Sequence, residues 1–381
     1  MNRDHYVVLT GSKSNAGDFL IKYRGRRLLE VLRPDRKLVD FNAWEPIEGE
    51  RLDVVNRSAA LILLGGPALQ PDMYPAVYPL AQDLSRIRVP VLTMGIGWRS
   101  PSGEWSAATR MRLSGATREL LGKTAEDGQQ ISVRDYHTLE VLRSNGFRHA
   151  LMTGCPALYD LESLTKPVPV TGAIRKVGFS LGVGFLWSGN MRRQMEELIV
   201  RSRDLFREAR FDVVFHHPLE AWFLETHNAP RIYYEGHRKF RDWLERQGIG
   251  WLDVSGSAEK LIDYYGGCDF HLGYRVHAHV FMCSIGKPSI LLAEDGRGAA
   301  LKEVIGGPIF PAAAQTPRSL LARVREWRGR ARPTTALPDA ADLVLHEIEY
   351  GLEHGNTRLA GVRANIEALF PVMRRFLAAL P

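Results

Sequence analysis

Short apolar runs, each closed by glycine or a polar residue, alternate with stretches of helical periodicity from one end of this chain almost to the other. Runs of that kind read as buried parallel strands, because a strand covered on both faces loses the polar alternation of a half-exposed sheet. In the first half they fall at residues 6–10, 59–64, 89–94 and 131–133, with helical patterns at 19–32 and 136–144. The second of these helices stops at Asn145-Gly146, a natural C-terminal cap. Repeated strand–helix–strand units need crossover connections, so the expectation is an α/β fold with largely parallel sheets.

A chain of 381 residues exceeds what one hydrophobic core usually serves. Proline and threonine gather at 165–172, which reads as a linker, and the pattern then restarts. Strand candidates in the second half are 176–181, 212–215, 251–254, 269–272 and 289–292, with helical stretches at 191–209, 257–265 and 276–285 between them. A second linker at 332–338 precedes C-terminal helical segments that Pro371 should interrupt. The expected division is 1–165, 172–331 and 338–381.

Two open parallel sheets bind ligands outside the carboxyl ends of their strands, so the loops there should carry the chemistry. After the first strand comes Gly11-Ser12-Lys13-Ser14-Asn15-Ala16-Gly17-Asp18. Small residues there let a backbone approach a ligand, and a following helix favours an anion. Equally, Asp18 could simply cap that helix. Gly65-Gly66 and Gly95-Ile96-Gly97-Trp98-Arg99 leave the next two strands, and Arg134-Asp135 leaves the fourth.

The richest loop is Gly273-Tyr274-Arg275-Val276-His277-Ala278-His279, between a strand and a helix. Arg275 can fork two hydrogen bonds onto a carboxylate or phosphate. His277, within the first turn, can exchange a proton near neutral pH. His279 points elsewhere on the helix and is expected to pack. His216-His217 and Glu294-Asp295-Gly296-Arg297 leave neighbouring strands, and of the two histidines one at most should reach the same cleft.

A net charge of +7 suits an anionic substrate or an acidic membrane surface. Nucleic acid is not expected, because the Lys and Arg residues are scattered and no recognised nucleic-acid motif accompanies them. The three cysteines form no CxxC pair and no zinc spacing, which suits reduced cytosolic thiols and no metal. No apolar run approaches the length of a spanning helix, and no secretory signal pattern is present, so a cytoplasmic protein is expected. Arg358, Arg363, Arg374 and Arg375 in the helical tail 356–380 suggest weak, salt-sensitive contact with anionic bilayers.

Taken together, Asn15-Ala16-Gly17-Asp18, Gly65-Gly66, Ser132-Val133-Arg134-Asp135, Thr153-Gly154-Cys155-Pro156-Ala157, Gly273 to Ala278 and Gly286-Lys287-Pro288 resemble, in order, the polysaccharide pyruvyl transferase family. The resemblance covers roughly residues 6–300. It implies a GT-B-like fold, two Rossmann-like domains facing across a cleft. It also implies transfer of a pyruvyl group from phosphoenolpyruvate, with no further cofactor, to a sugar of a cell-surface polysaccharide precursor.

By that resemblance Arg275, Val276 and His277 contact the donor, with Arg134, Arg297 and Gly182 beside it. Asn15, Gly17, Asp18, Gly66, Trp98 and His217 fall on the acceptor side. His277 would protonate the donor's methylene carbon, and Asp18 or His217 would take hydroxyl protons. Two departures stand out. Gly182 occupies a position where the family commonly has Arg, and Arg297 one where Lys is more usual. Either Arg99, Arg134 or Arg297 compensates, or the donor is a different one. The rival expectation is a GT-B glycosyltransferase whose nucleotide-sugar diphosphate rests on Gly182-Val183-Gly184.

Overall fold

Tyr6 and Val8 of the first strand, β1 (His5–Thr10), face one apolar cluster, while Val7 and Leu9 face another. That alternation makes β1 the buried centre of its sheet. The computed structural model describes residues 3–100, 102–126, 131–169, 172–222, 231–315 and 334–381. Parts of both expected linkers, at 170–171 and 332–333, and the expected domain end at 331 lie outside the described residues.

After β1 the first half runs α1 (Ala16–Leu32), β2 (Lys37–Asn42), α2 (Gly49–Arg57), β3 (Ala60–Leu64) and β4 (Val91–Met94). Then come α3 (Trp105–Arg110), α4 (Gly115–Glu126), β5 (Ser132–Val133), α5 (Tyr136–Ser144) and β6 (Leu151–Met152). The strands order β2-β1-β3-β4, all parallel, and a parallel bridge from Ile96 to Val133 attaches the β5-β6 pair. Strand β2 escapes the sequence reading because it is an edge strand. Its residues are only partly covered, so it lacks the continuous apolar run of its neighbours.

The second half runs β7 (Lys176–Ser180), α6 (Gly189–Leu205), β8 (Arg210–Phe215), α7 (Arg231–Arg246), β9 (Gly250–Asp253), α8 (Ala258–Gly266) and β10 (Phe270–Gly273). It continues through α9 (Val276–Ser284), β11 (Ser289–Ala293), α10 (Gly296–Ile305) and β12 (Ile309–Pro311). Its order is β12-β11-β10-β7-β8-β9, again all parallel. This is the doubly wound order of dinucleotide-binding sheets, whereas the first sheet has the other common doubly wound order. A short antiparallel pair, Ala313–Gln315 with Thr334–Ala336, precedes α11 (Ala340–Glu353) and α12 (Arg358–Ala378).

The two halves are welded together. One cluster joins Tyr6, Leu20 and Ile62 of the first half to Leu261, Ala278 and Phe281 of the second. Large apolar interfaces suppress the relative domain motion that polar ones allow, so packing sets the cleft width. The backbone reinforces it: Ala16 N–H donates to His216 O at 3.3 Å, and Gly256 N–H to Ser14 O at 2.8 Å.

Helix α12 returns to the first half, where Tyr6 Oη donates to Pro381 O at 2.6 Å. One expectation fails there. Pro371 does not interrupt the helix, which runs unbroken from Arg358 to Ala378 while Met373, Phe376 and Leu377 beyond the proline are buried against the body. Two of the four arginines of the tail are engaged with the protein, while Arg374 and Arg375 are exposed. Arg363 is 2% exposed and donates to Ser284 O and Ser163 O, and Arg358 pairs with Glu347 at 2.9 Å. Among the described residues no helix is long and apolar enough to cross a membrane.

Candidate active site

In each sheet the chain winds outward in both directions from a switch point, where the loops after two adjacent strands part and leave a crevice. In the second sheet those loops follow β7 and β10. Gly273, at φ 136°, lies so close to Ser180 O and N that a Cβ would collide, and Arg275 N–H donates to Ser180 Oγ at 3.0 Å. Arg275 Nε donates to Leu181 O at 2.7 Å, and Nη1 lies 3.4 Å from His217 Nε2. Its Nη2 is buried and has no acceptor within the described residues.

A buried polar chain supports this loop from beneath. His271 spans Ser180 Oγ at 2.9 Å and Ser289 Oγ at 2.7 Å, and His279 Nδ1 reaches the same Ser289 Oγ at 2.7 Å. His279 is fully buried and packs, as expected. Burial holds its imidazole down to about 3, so it stays neutral.

The first half supplies the opposing wall. Asn15, not Asp18, caps α1: its Oδ1 accepts from Gly17 N–H at 3.3 Å. Asp18 is thereby left to the cleft, with Asn15 Nδ2 donating to Oδ2 at 3.2 Å. Gly17 presses against His277, and a Cβ there would sit 2.6 Å from Nδ1. Cys155 Sγ lies 4.0 Å from the other ring nitrogen. Arg134 comes from the end of β5, packs its guanidinium onto Gly97, and bonds Asp135 Oδ2 through Nε at 3.3 Å. Its Nη2, like that of Arg275, is buried and unpartnered within the described residues. Asp135 caps α5 through Thr138 N–H at 2.7 Å.

Three guanidinium groups, from Arg134, Arg275 and Arg297, act on Asp18 and pull its carboxyl down against burial, which dominates and raises it. Arg297 is itself held by a two-pronged pair with Asp295, at 2.7–3.0 Å. Burial, followed by Arg134 and Arg297, drives the His277 imidazole down to about 3. The expectation that His277 exchanges a proton near neutral pH is therefore corrected for the unliganded protein: the ring is neutral. Two buried guanidinium donors beside a neutral imidazole are chemically suited to an anion.

In the first sheet the loops after β1 and β3 enclose a cavity of about 360 Å³. Lys13, Asp18, Trp44, Gly66, Gln70 and Tyr78 are among its lining residues, and Lys13 Nζ lies 4.7 Å above the Trp44 ring. Burial and then Asp18 raise the Tyr78 hydroxyl pKa, so that group stays protonated. Asp18 stands between this cavity and the arginines.

Not every expected residue takes its expected place. Arg275, Val276, His277 and Arg297 line one pocket, and Arg134 faces it electrostatically. Asn15 and Gly17, expected on the acceptor side, line that same pocket, while Gly66 and Asp18 line the cavity. Trp98 is 6% exposed, packs within the first-half core, and lines neither the pocket nor the cavity. His217 belongs with Arg275 on the second half, and His216 is buried against Tyr265 Oη at 2.8 Å. Arg99 is exposed, outside the cluster.

Gly182 does not line that pocket either. The carboxylate of Glu294 fills the turn after β7, accepting from Val183 N–H at 3.0 Å and from Gly184 N–H at 2.6 Å. Sequence reasoning missed Trp44 and Tyr78, which sit in no glycine-rich or basic pattern, and the role of Glu294, whose strand-exit loop is legible but whose partner turn lies far away in the chain. Among the described residues no group of three or more His, Cys, Asp or Glu side chains is gathered in the manner of a metal site.

Residues 15–296 match the family model described as polysaccharide pyruvyl transferase. No curated protein sequence matches the chain. Among solved structures, the UDP-GlcNAc 2-epimerase from Neisseria meningitidis bound to UDP-GlcNAc superposes with a TM-score of 0.50 at 8% identity, covering 97% of each chain. A putative UDP-N-acetylglucosamine 2-epimerase from Listeria monocytogenes gives 0.50 at 10% identity, covering 99% of this chain and 95% of that one. Likeness at this identity shows a shared two-domain GT-B-like fold and nothing about the ligand.

Proposed function

The chain belongs to the polysaccharide pyruvyl transferase family, and from that premise we propose that it moves a pyruvyl group from phosphoenolpyruvate onto a saccharide, forming a cyclic ketal. The observation that supports this best is the convergence of Arg134, Arg275 and Arg297 on Asp18, two of them also acting on His277, with two of the three guanidinium groups holding a buried Nη2 in reserve. Phosphoenolpyruvate carries a phosphate and a carboxylate on one small frame, and planar forked donors suit both.

In this reading His277 acquires its proton together with the donor. Burial first, then Arg134 and Arg297, hold the imidazole neutral; bound anionic charge beside it favours the imidazolium against all three, so the ring takes up a proton as the donor binds. It then delivers that proton to the methylene carbon, and the adjacent carbon becomes electrophilic. One saccharide hydroxyl adds there and gives its proton to Asp18. Phosphate departs with the electron pair of its C–O bond. A second hydroxyl then adds, and its proton passes to the released phosphate.

Asp18 is preferred over His217 as the base because it stands at the junction of the two pockets, whereas His217 is engaged with Arg275. The saccharide occupies the first-sheet cavity, with Trp44 as an apolar face and Lys13, Gln70 and Tyr78 as polar partners. This chemistry calls on no metal or organic cofactor.

Incubation with phosphoenolpyruvate and a panel of saccharides tests the reading. The expected result is release of inorganic phosphate and an acceptor heavier by one pyruvic acid less one water. Absence of phosphate release with every acceptor, together with no thermal stabilisation by phosphoenolpyruvate, would overturn it.

A further inference from the structure

We propose that Glu294 sets the class of donor by occupying the backbone nest after β7 with its own carboxylate, so that a nucleoside diphosphate cannot bind there. The identity of the donor that is admitted rests on the reading above; the exclusion rests on geometry alone.

In sheets with this strand order, the turn after the first strand is where backbone N–H groups receive a diphosphate, and glycines there let the phosphates come close. The corresponding turn is Gly182-Val183-Gly184, after β7. Its donors are already engaged, since Val183 N–H reaches both Glu294 oxygens at 3.0 Å and Gly184 N–H reaches Oε1 at 2.6 Å. The glycines serve that carboxylate. A Cβ on Gly182 would overlap Glu294 Oε1 and come within 2.7 Å of Met195 Cε, and one on Gly184 would lie 2.8 Å from Oε1.

A diphosphate entering this turn would have to displace two charge-assisted hydrogen bonds and lie against a carboxylate, and like charges at contact in a partly dry site repel strongly. The unpartnered donors lie elsewhere, on Arg134 and Arg275. Anion recognition has moved from backbone to side chains. The same geometry accounts for Gly182 itself: an arginine at 182 and Glu294 compete for one space.

The test titrates UDP, as a plain nucleoside diphosphate, into wild type and Glu294→Ala by calorimetry. The expected result is a gain of tenfold or more in UDP affinity for the variant, whose two N–H groups are exposed. Equal UDP affinity in the two proteins would overturn the proposal. If Glu294→Ala does not melt cooperatively, Glu294→Asp carries the test: one methylene shorter, it cannot hold both N–H groups and should show a smaller gain, and no gain would again overturn the proposal. Phosphoenolpyruvate titrated in parallel keeps the two readings apart. Its failure to bind wild type would sink the donor assignment and leave the UDP comparison to decide this one.

Discussion

Gly17 and His277, from opposite halves of the chain, meet so closely that a Cβ on Gly17 would lie 2.6 Å from Nδ1 and 2.9 Å from both Cβ and Cγ of the imidazole. The atoms it would strike are the root of the side chain, not a flexible tip. The ring therefore cannot swing aside without moving the start of α9. Gly17→Ala should cost about 1–3 kcal/mol of stability through overpacking. It should also lower turnover by displacing His277. Urea unfolding and phosphate release check both, and a variant unchanged in either measure would contradict the contact.

Arg275 is anchored through Nε and Nη1, leaving Nη2 for a ligand. Arg275→Lys keeps the charge and loses the fork. Loss of a charge-assisted hydrogen bond should weaken phosphoenolpyruvate binding by about 1.5–3 kcal/mol, roughly ten- to a hundredfold. Calorimetry reads this directly, and unchanged affinity would remove Arg275 from the donor site.

His277 is expected to act in the transition state and not in binding. His277→Gln should cut turnover ~100-fold or more with donor affinity nearly intact. The ring's proton supplies a second readout. Without donor it should stay neutral down to pH 5, because burial, Arg134 and Arg297 hold it at about 3. Saturating phosphoenolpyruvate should move its titration upward, visible in imidazole NMR shifts. A ring that titrates near 6.5 without donor would refute the electrostatic account.

Trp44 forms an apolar face of the first-sheet cavity, away from the arginines. Trp44→Ala should raise the acceptor KM by roughly tenfold, on the order of 1.4 kcal/mol, and leave the donor Kd unchanged. An equal loss of donor affinity would place the acceptor elsewhere.

Acid should destabilise this fold early. Burial holds His216, His217 and His271 neutral well below the usual imidazole range, with His237 at about 4 and His277 and His279 at about 3. As pH falls below about 6.5 the unfolded chain takes protons that the folded chain refuses, so stability falls toward the folded pKa values. Asp18, Glu294 and Glu347, raised by burial, act in the opposite direction, but among the described residues they are three groups against six. Urea midpoints should drop between pH 7 and pH 5, by at least about 1.4 kcal/mol per pH unit for one net proton. A flat profile would show that these imidazoles are hydrated.

The sequence by itself determined the α/β class, the buried strands of both halves and the loops that follow them, including the one whose Arg275 and His277 line a pocket. That information is local: apolar runs define buried strands, and a glycine-rich exit followed by a helix defines a ligand-facing loop. Residues whose part depends on a distant neighbour were beyond it. Trp98 follows a glycine exit as a ligand residue would, yet the first-half core covers it. Pro371 carries a helix-breaking signal, yet burial of Met373, Phe376 and Leu377 holds α12 together past it. Gly182 looks like a phosphate turn until Glu294, 112 residues later in number and carried by a strand two places away in the sheet, is seen to fill it. Only the tertiary structure brings Arg134 against His277 and leaves Asp18 between two pockets. Sheet order and the shared core decide which loops meet, and those are properties of pairings far apart in the chain that no local pattern encodes.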